Sequence, residues 1–292
     1  MQLTITGYST ALFATWYFVD ELNILFDAGD GITAGLLHKA RKIEHVFVSH
    51  ADRDHITGLL QFNQLNARQG APTIYYPADS GSFKAIQAFA NQFDPHVSGT
   101  VWQPVREGDE IRINHDLVVI PIRNGHVPAD IGVAKSLSYK VMQVKRKLKS
   151  ELVHLTGPEI KKIADEHGKE STTYEVRANI ISFSGDTPVE DIHRWNDTQI
   201  LIHEATFLTG KDDPPLTPHA NKHSTLEEVI EMVSASNVEQ LILGHFSSRY
   251  SHEEIEANIK RLCEKYAINI PVHCVLPGDV KRDILKGAPV NK

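Results

Sequence analysis

The segment SHADRDH, residues 49–55, constrains this chain more than any other stretch. It follows IEHVFV, where Ile43, Val46 and Val48 are apolar, so a buried strand is expected to end at His50. The run that follows, HITGLLQFNQLNARQG, reads as a helix. A strand tip that turns into a helix start lets His50, Asp52, Asp54 and His55 converge on one point. Imidazole nitrogens and carboxylates at that density suit Zn²⁺ and related first-row ions. The competing reading is a polar loop that caps the helix through Asp52 or Asp54, and it leaves the two histidines unexplained.

Later segments repeat the arrangement. IPIRNGH ends at His126, IISFSGDT at Asp186 and LILGHF at His245, while ILIHEATF carries His203 and Glu204. One histidine at a strand end is usually a structural group. Five such ends in one chain point instead to a site assembled where strands terminate together. Around them the sequence reads as short strands at LTITGYS, WYFVD, NILFDAG, APTIYYP, TVWQPV, EIRINHDLVVIPIR, SLSYKVMQV and YEVRANI. Helices are expected at ITAGLLHKARK, SGSFKAIQAFANQF, TLEEVIEMVSAS and HEEIEANIKRLCEKY. Two sheets packed face to face with helices outside would bury this pattern.

Composition narrows the functional classes. With 292 residues and 41 % apolar content, the chain can build a sizeable core. Its net charge of −7 argues against a surface given over to nucleic acid, although bound cations would offset part of it. No apolar run is long enough to span a bilayer. The N-terminus lacks the basic region of a signal peptide, and Cys263 and Cys274 form no disulfide framework, so a reducing cytoplasm is the expected location. The 16 histidines are the unusual figure.

Taken in order, HADRDH, the GH at His126, SGDT at Asp186, HEATF from His203, HST at His223 and HFSSRY from His245 resemble the motif set of the tRNase Z family, within the metallo-β-lactamase superfamily. The match runs from about residue 3 to 279. The resemblance implies an α+β chain folded as a four-layer αβ/βα sandwich. It also implies two divalent metal ions, zinc first, with manganese or iron as alternatives. One ion would take His50, His126 and Asp186, and the other Asp54, His55 and His245, with Asp186 bridging. Hydroxide generated between the metals would attack a phosphodiester, with Asp54 orienting it and Glu204 and His223 assisting the leaving group. RNA, tRNA in particular, is the implied substrate, and a homodimer the implied assembly.

Two features depart from the family. Asp52 stands where the family has histidine; a carboxylate there can also ligate, with a shorter reach and a different metal preference. The family's long glycine-rich arm, which grips the tRNA elbow, would fall between His126 and Asp186. Here KRKLKSELVHLTGPEIKKIADEHGKE occupies that place. Thr156 can cap a helix there with Glu159 three residues on, and Pro158 falls in the first turn. The expected organisation is therefore one domain over 1–292, with a short helical insert at about 145–170. His203 is expected to be structural and Ser247 and Arg249 to brace the last ligand loop, while His219 reads as a surface or packing residue with cleft lining as the lesser alternative. The remaining histidines read as surface or packing residues. Two other functions stay open: hydrolysis of a small ester, thioester or lactone, and a non-catalytic metal-binding module.

Overall fold

The computed structural model describes residues 2–208 and 223–292. A six-stranded sheet runs in sequence order: β1 (Ile5–Thr10), β2 (Ala14–Val19), β3 (Ile24–Phe26), β4 (His45–Phe47), β5 (Thr73–Pro77) and β6 (Val101–Val105). Its first three strands pair antiparallel and β3 to β6 pair parallel. The second sheet holds β7 (Ile111–Arg112), β8 (Leu117–Arg123), β9 (Leu137–Leu148), β10 (Thr173–Phe183), β11 (Thr198–Glu204), β12 (Val238–Gly244) and β13 (Val272–Cys274), also as sequential neighbours. There β7 to β10 are antiparallel and β10 to β13 parallel.

The side-chain alternation of a strand explains how these sheets stack. In β2, Tyr17 and Val19 face the other sheet, while Trp16 and Phe18 face helices, so all six residues are buried. Between the sheets, Phe26 stacks on Phe183 at 5.0 Å and Phe47 tilts against Tyr139 at 5.2 Å. Outside the first sheet lie α1 (Ile32–Leu36), α2 (Arg53–Ile56), α3 (Leu59–Asn66) and α4 (Gly81–Phe93); Ile32, Leu59, Phe62 and Phe83 cover Phe18, Leu25 and Val46. Outside the second lie α7 (Leu226–Ser234) and α8 (His252–Lys265), whose Leu226, Val229, Ile255 and Leu262 cover Leu201, Leu241 and Leu243. The expected four-layer αβ/βα sandwich is therefore the observed fold. No helix among the described residues is long and apolar enough to cross a membrane.

Several boundaries differ from the sequence reading, each for a local reason. The helix expected over 32–42 stops at Leu36, and Leu37 (φ +51°) leads into a 3₁₀ segment. Gly35 presses on the Trp16 indole there, where a Cβ would come within 2.8 Å. The helix expected from His55 begins earlier, at Arg53, and breaks at Gly58, whose N–H donates to Ala28 O. A Cβ at Gly58 would lie 2.2 Å from Gly29 O, so the close backbone approach requires glycine. Residues 145–148, expected inside the insert, continue β9, with Leu148 opposite Thr173. The helical part of the insert is α5 (Gly157–His167) and α6 (Lys169–Thr172), and Glu159 accepts from both the amide and hydroxyl of Thr156. The strand expected over 110–123 is a hairpin of β7 and β8, and β13 was not foreseen.

Candidate metal centre

The carboxyl ends of β4, β10, β11 and β12 meet at one edge of the sandwich, where α/β sheets gather ligands. His50 follows β4 by three residues, and Asp54 and His55 sit in α2. His126 follows β8, Asp186 follows β10, Glu204 ends β11 and His245 follows β12 with φ +59°. The turns that end these strands bring the imidazoles together. Ring centroids are 4.2 Å apart for His50 and His55, 4.3 Å for His50 and His126, and 5.3 Å for His55 and His245.

Asp186 lies at the centre. Its Oδ2 is 3.2 Å from His55 Nε2 and 3.7 Å from His50 Nε2, and its Oδ1 is 3.3 Å from His245 Nε2. Asp54 Oδ2 lies 3.4 Å from His245 Nε2 and 3.6 Å from His55 Nε2, and accepts from the Leu12 amide at 3.0 Å. Asp52 Oδ2 stands 3.6 Å from His50 Nε2 and 3.5 Å from His126 Nε2. Its side chain is 64 % exposed, and it makes no capping bond although it occupies the N-cap of α2. Among the described residues five groupings could each hold an ion: His50, Asp52 and His126; His50, His55 and Asp186; Asp54, His55 and His245; His126, Asp186 and His223; and Glu204, His223 and His245.

Two observations test the fit of a metal. His50 Nε2 and His55 Nε2 are buried without a hydrogen-bond partner, which is costly for a polar atom. The donor spacings also cluster near the edge of a tetrahedron whose corners lie ~2.0 Å from its centre, about 3.3 Å. The nitrogens and carboxylates present therefore suit borderline divalent ions.

Surrounding groups fix two of the imidazoles, His55 and His245. Asp27, fully buried, accepts from Ser49 N (2.6 Å) and Ser49 Oγ (2.9 Å), and its Oδ2 is 2.7 Å from His55 Nδ1. That bond presents His55 Nε2 to the centre. Thr206 Oγ1 lies 2.8 Å from His245 Nδ1, and Ser9 Oγ accepts from His245 N. Burial opposes the charge on His55, but Asp186 and Asp27 outweigh it and raise its pKa well above the ordinary value. Burial lowers that of His50. Burial also disfavours the Asp186 carboxylate, yet His245 and His55 hold its pKa well below the usual range.

At the mouth, His223 Nδ1 is 3.1 Å from Glu204 Oε1 and 3.8 Å from Asp186 Oδ2. Glu204 is pinned by Thr187 N at 2.7 Å and Thr206 Oγ1 at 2.6 Å. Burial disfavours a charged His223, but Glu204 and then Asp186 raise its pKa to about 9. His203 is buried, with Nδ1 on Glu204 O (2.7 Å) and its ring edge-on to Trp195. Arg249 donates from Nε to Ser247 Oγ and lies 5.5 Å over Phe207, which in turn packs edge-on to His223. His219 lies outside the described residues. Among the described residues, none of the other histidines joins a three-ligand grouping.

Every described residue singled out from sequence as a ligand or acid/base group thus lies in one cluster. Asp27, Ser49, Ser9 and Thr206 were missed. Only Asp27 carried a signal, since NILFDAG also ends a strand on an acid before small residues.

This fold and cluster define a class. The β-lactamase superfamily domain matches residues 22–246, and the chain belongs to that superfamily, in its metallo-β-lactamase fold. Within it, the chain is similar to proteins named ribonuclease Z or tRNase Z. It is 29 % identical to the chloroplastic tRNase Z of Arabidopsis thaliana over 279 residues, covering 91 % of this chain and 73 % of the relative. It is 26 % identical to the ribonuclease Z of Methanocaldococcus jannaschii over 291 residues, covering 89 % of each. Among solved structures, the metallo-β-lactamase fold protein YhfI of Bacillus subtilis shares the fold at TM-score 0.64 and 15 % identity, over 96 % of this chain and all of that one. The short form of human tRNase Z does so at TM-score 0.56 and 18 % identity, over 85 % and 93 %.

Proposed function

We propose that this chain is a metal-dependent phosphodiesterase of the ribonuclease Z type, with RNA carrying a 3′ extension as its substrate class. The relatives named for that activity support the reading. The observation that carries it furthest within this chain is the Glu204–His223 pair beside Asp186. His50, His126 and Asp186, with Asp52 added, would hold one ion; Asp54, His55 and His245, sharing Asp186, would hold the other. When bound, the ions supply Lewis-acid charge and lower the pKa of water.

The chain's own residues supply the rest. Water adds to phosphorus and the ester oxygen departs. An alkoxide leaving group needs a proton, and His223, held cationic by Glu204, gives it one from its ring nitrogen. Glu204 keeps the orientation of that ring because Thr187 and Thr206 fix both of its oxygens. Asp54, anchored by the Leu12 amide, accepts a hydrogen bond from the attacking water.

The test pairs elemental analysis with hydrolysis of a tRNA precursor and of bis(p-nitrophenyl) phosphate. The expected result is close to two tightly bound ions per chain and cleavage of both substrates, abolished by EDTA and by His126→Ala. Inactivity on both by the fully loaded chain would overturn the proposal.

A further inference from the structure

A groove of about 610 Å³ opens beside the centre, lined by Tyr8, Phe13, Trp16, Asp30, Val280 and Arg282 among others. It starts at the turn between β1 and β2. Leu12 takes φ +70° there, and its amide donates to Asp54 Oδ2 at 3.0 Å, so the turn is tied to a proposed ligand. The tip nevertheless carries apolar side chains into water: Leu12 is 89 % exposed and Phe13 60 %. A left-handed backbone at a non-glycine residue is strained, and such strain is concentrated at functional sites. Trp16 is fully buried at the groove floor, its indole N–H donating to Asp30 O at 3.1 Å. Arg282 also lines the groove, donating one N–H to Gly35 O at 3.1 Å. A guanidinium has five donors, so this bond leaves capacity for an anion. The Asp30 carboxylate is engaged by the Gly31 amide at 2.8 Å.

We propose that this groove is a nucleotide subsite, in which a base next to the cleaved bond stacks on Phe13 and a phosphate further along the strand meets Arg282. The proposal rests on the phosphodiesterase reading above. Three features select this occupant. The groove is joined to the centre through the chain, since Phe13 in its lining follows Leu12, whose amide holds Asp54. It offers an exposed aromatic face, on which any base can stack without regard to sequence. It also offers a cation, in a chain whose net charge of −7 otherwise repels a polyanion.

The experiment measures binding of a fluorescein-labelled single-stranded phosphorothioate RNA, which resists hydrolysis, to the zinc-loaded chain by anisotropy. The same RNA with abasic riboses is the control. Phe13→Ala is expected to weaken Kd about tenfold on the RNA, the lower part of the range for one stacked base, and to leave the abasic Kd unchanged. Arg282→Met is expected to reduce the slope of log Kd against log salt by about 0.7, the value for one lost contact to a single strand. Arg282→Lys should keep the slope, which separates charge from loss of fold. Binding by Phe13→Ala and Arg282→Met equal to the parent's would overturn the proposal. A change from dimer to monomer on Phe13→Ala, seen by sedimentation velocity, would also overturn it, because the face would then belong to a second copy of the chain. Variant-sensitive RNA binding without hydrolysis of any phosphodiester sustains the groove and removes the phosphodiesterase reading; hydrolysis with unaltered variant affinities does the reverse.

Discussion

At the residue scale, the strongest inference concerns which proton goes where. His223 and Glu204 matter only if the departing oxygen is basic. His223→Ala should therefore lower kcat on RNA by about 10²–10⁴, the usual worth of a general acid. On bis(p-nitrophenyl) phosphate, whose phenolate leaves without help, the loss should stay under about tenfold. Equal losses on both substrates would mean that His223 acts on binding or structure instead. Asp27 carries a second prediction. An amide at this position would donate to His55 Nδ1, moving the ring proton to Nε2 and closing the atom that faces the centre. Asp27→Asn should thus lower metal affinity about 10–100-fold while keeping side-chain volume, as read by competition with a chromophoric chelator. Unchanged affinity would show that His55 is oriented by other contacts. These two residues also mark what was legible. Histidines and acids that terminate apolar runs announce themselves through their number, because five such ends in one chain are not explained by structural roles one at a time. Asp27 terminates such a run too, but a strand followed by an Asp–Ala–Gly turn has an ordinary explanation. Thr206 and Ser49 act through hydroxyls, which are too common at turns to be singled out.

At the element scale, β9 and β10 run together past the body of the sheet, and the ribbon they form ends in α5 and α6. The sequence showed one arm of this ribbon, YEVRANI, and hid the other, residues 145–148. Residues 145–148 read KRKL, with little apolar alternation, because a two-stranded extension outside the sandwich has no core face to bury. The helix at its tip was legible for the opposite reason: the Thr156–Glu159 box and Pro158 act locally and need no tertiary partner. No residue of α5 is buried, and none of the insert's residues joins a potential metal-binding grouping. Replacing residues 150–171 by a two-residue Asn-Gly turn should therefore leave metal stoichiometry unchanged and shift Tm by no more than about 2–4 °C, the change expected for 1 kcal/mol in a chain somewhat smaller than this one. Calorimetry and elemental analysis check both parts. Loss of bound metal would mean that the tip supports the ligand strands in a way its burial does not indicate. Glycines mattered at this scale as well: the breaks at Gly35 and Gly58 follow from contacts with Trp16 and Gly29 that lie far along the chain, so no local pattern could have located them.

At the scale of the whole molecule, the two sheets bring together residues from 27 to 245 in sequence, and they do so at a cost in desolvation. Asp52, Asp54, Asp186 and Glu204 crowd one edge with five imidazoles, two of which leave buried nitrogens unpartnered. The layered architecture could be read from apolar patterning because each sheet buries both faces, but the unpartnered nitrogens of this edge emerge only when the sheets meet. Cations that bind the folded chain and not the unfolded one satisfy them and shift the folding equilibrium by mass action. At free metal one hundredfold above Kd, a single site contributes about 2.7 kcal/mol. With roughly 2–4 °C per kcal/mol for a chain somewhat smaller than this one, removal of metal should lower Tm by about 5–10 °C per ion lost. The measurement is differential scanning calorimetry of the loaded chain, of the chain after chelation and dialysis, and of His126→Ala, which should fall between the two if it releases one ion and keeps the other. The ordering decides the matter: a Tm that does not move on chelation would mean that the cluster is satisfied without cations, and that its unpartnered nitrogens are no measure of metal affinity.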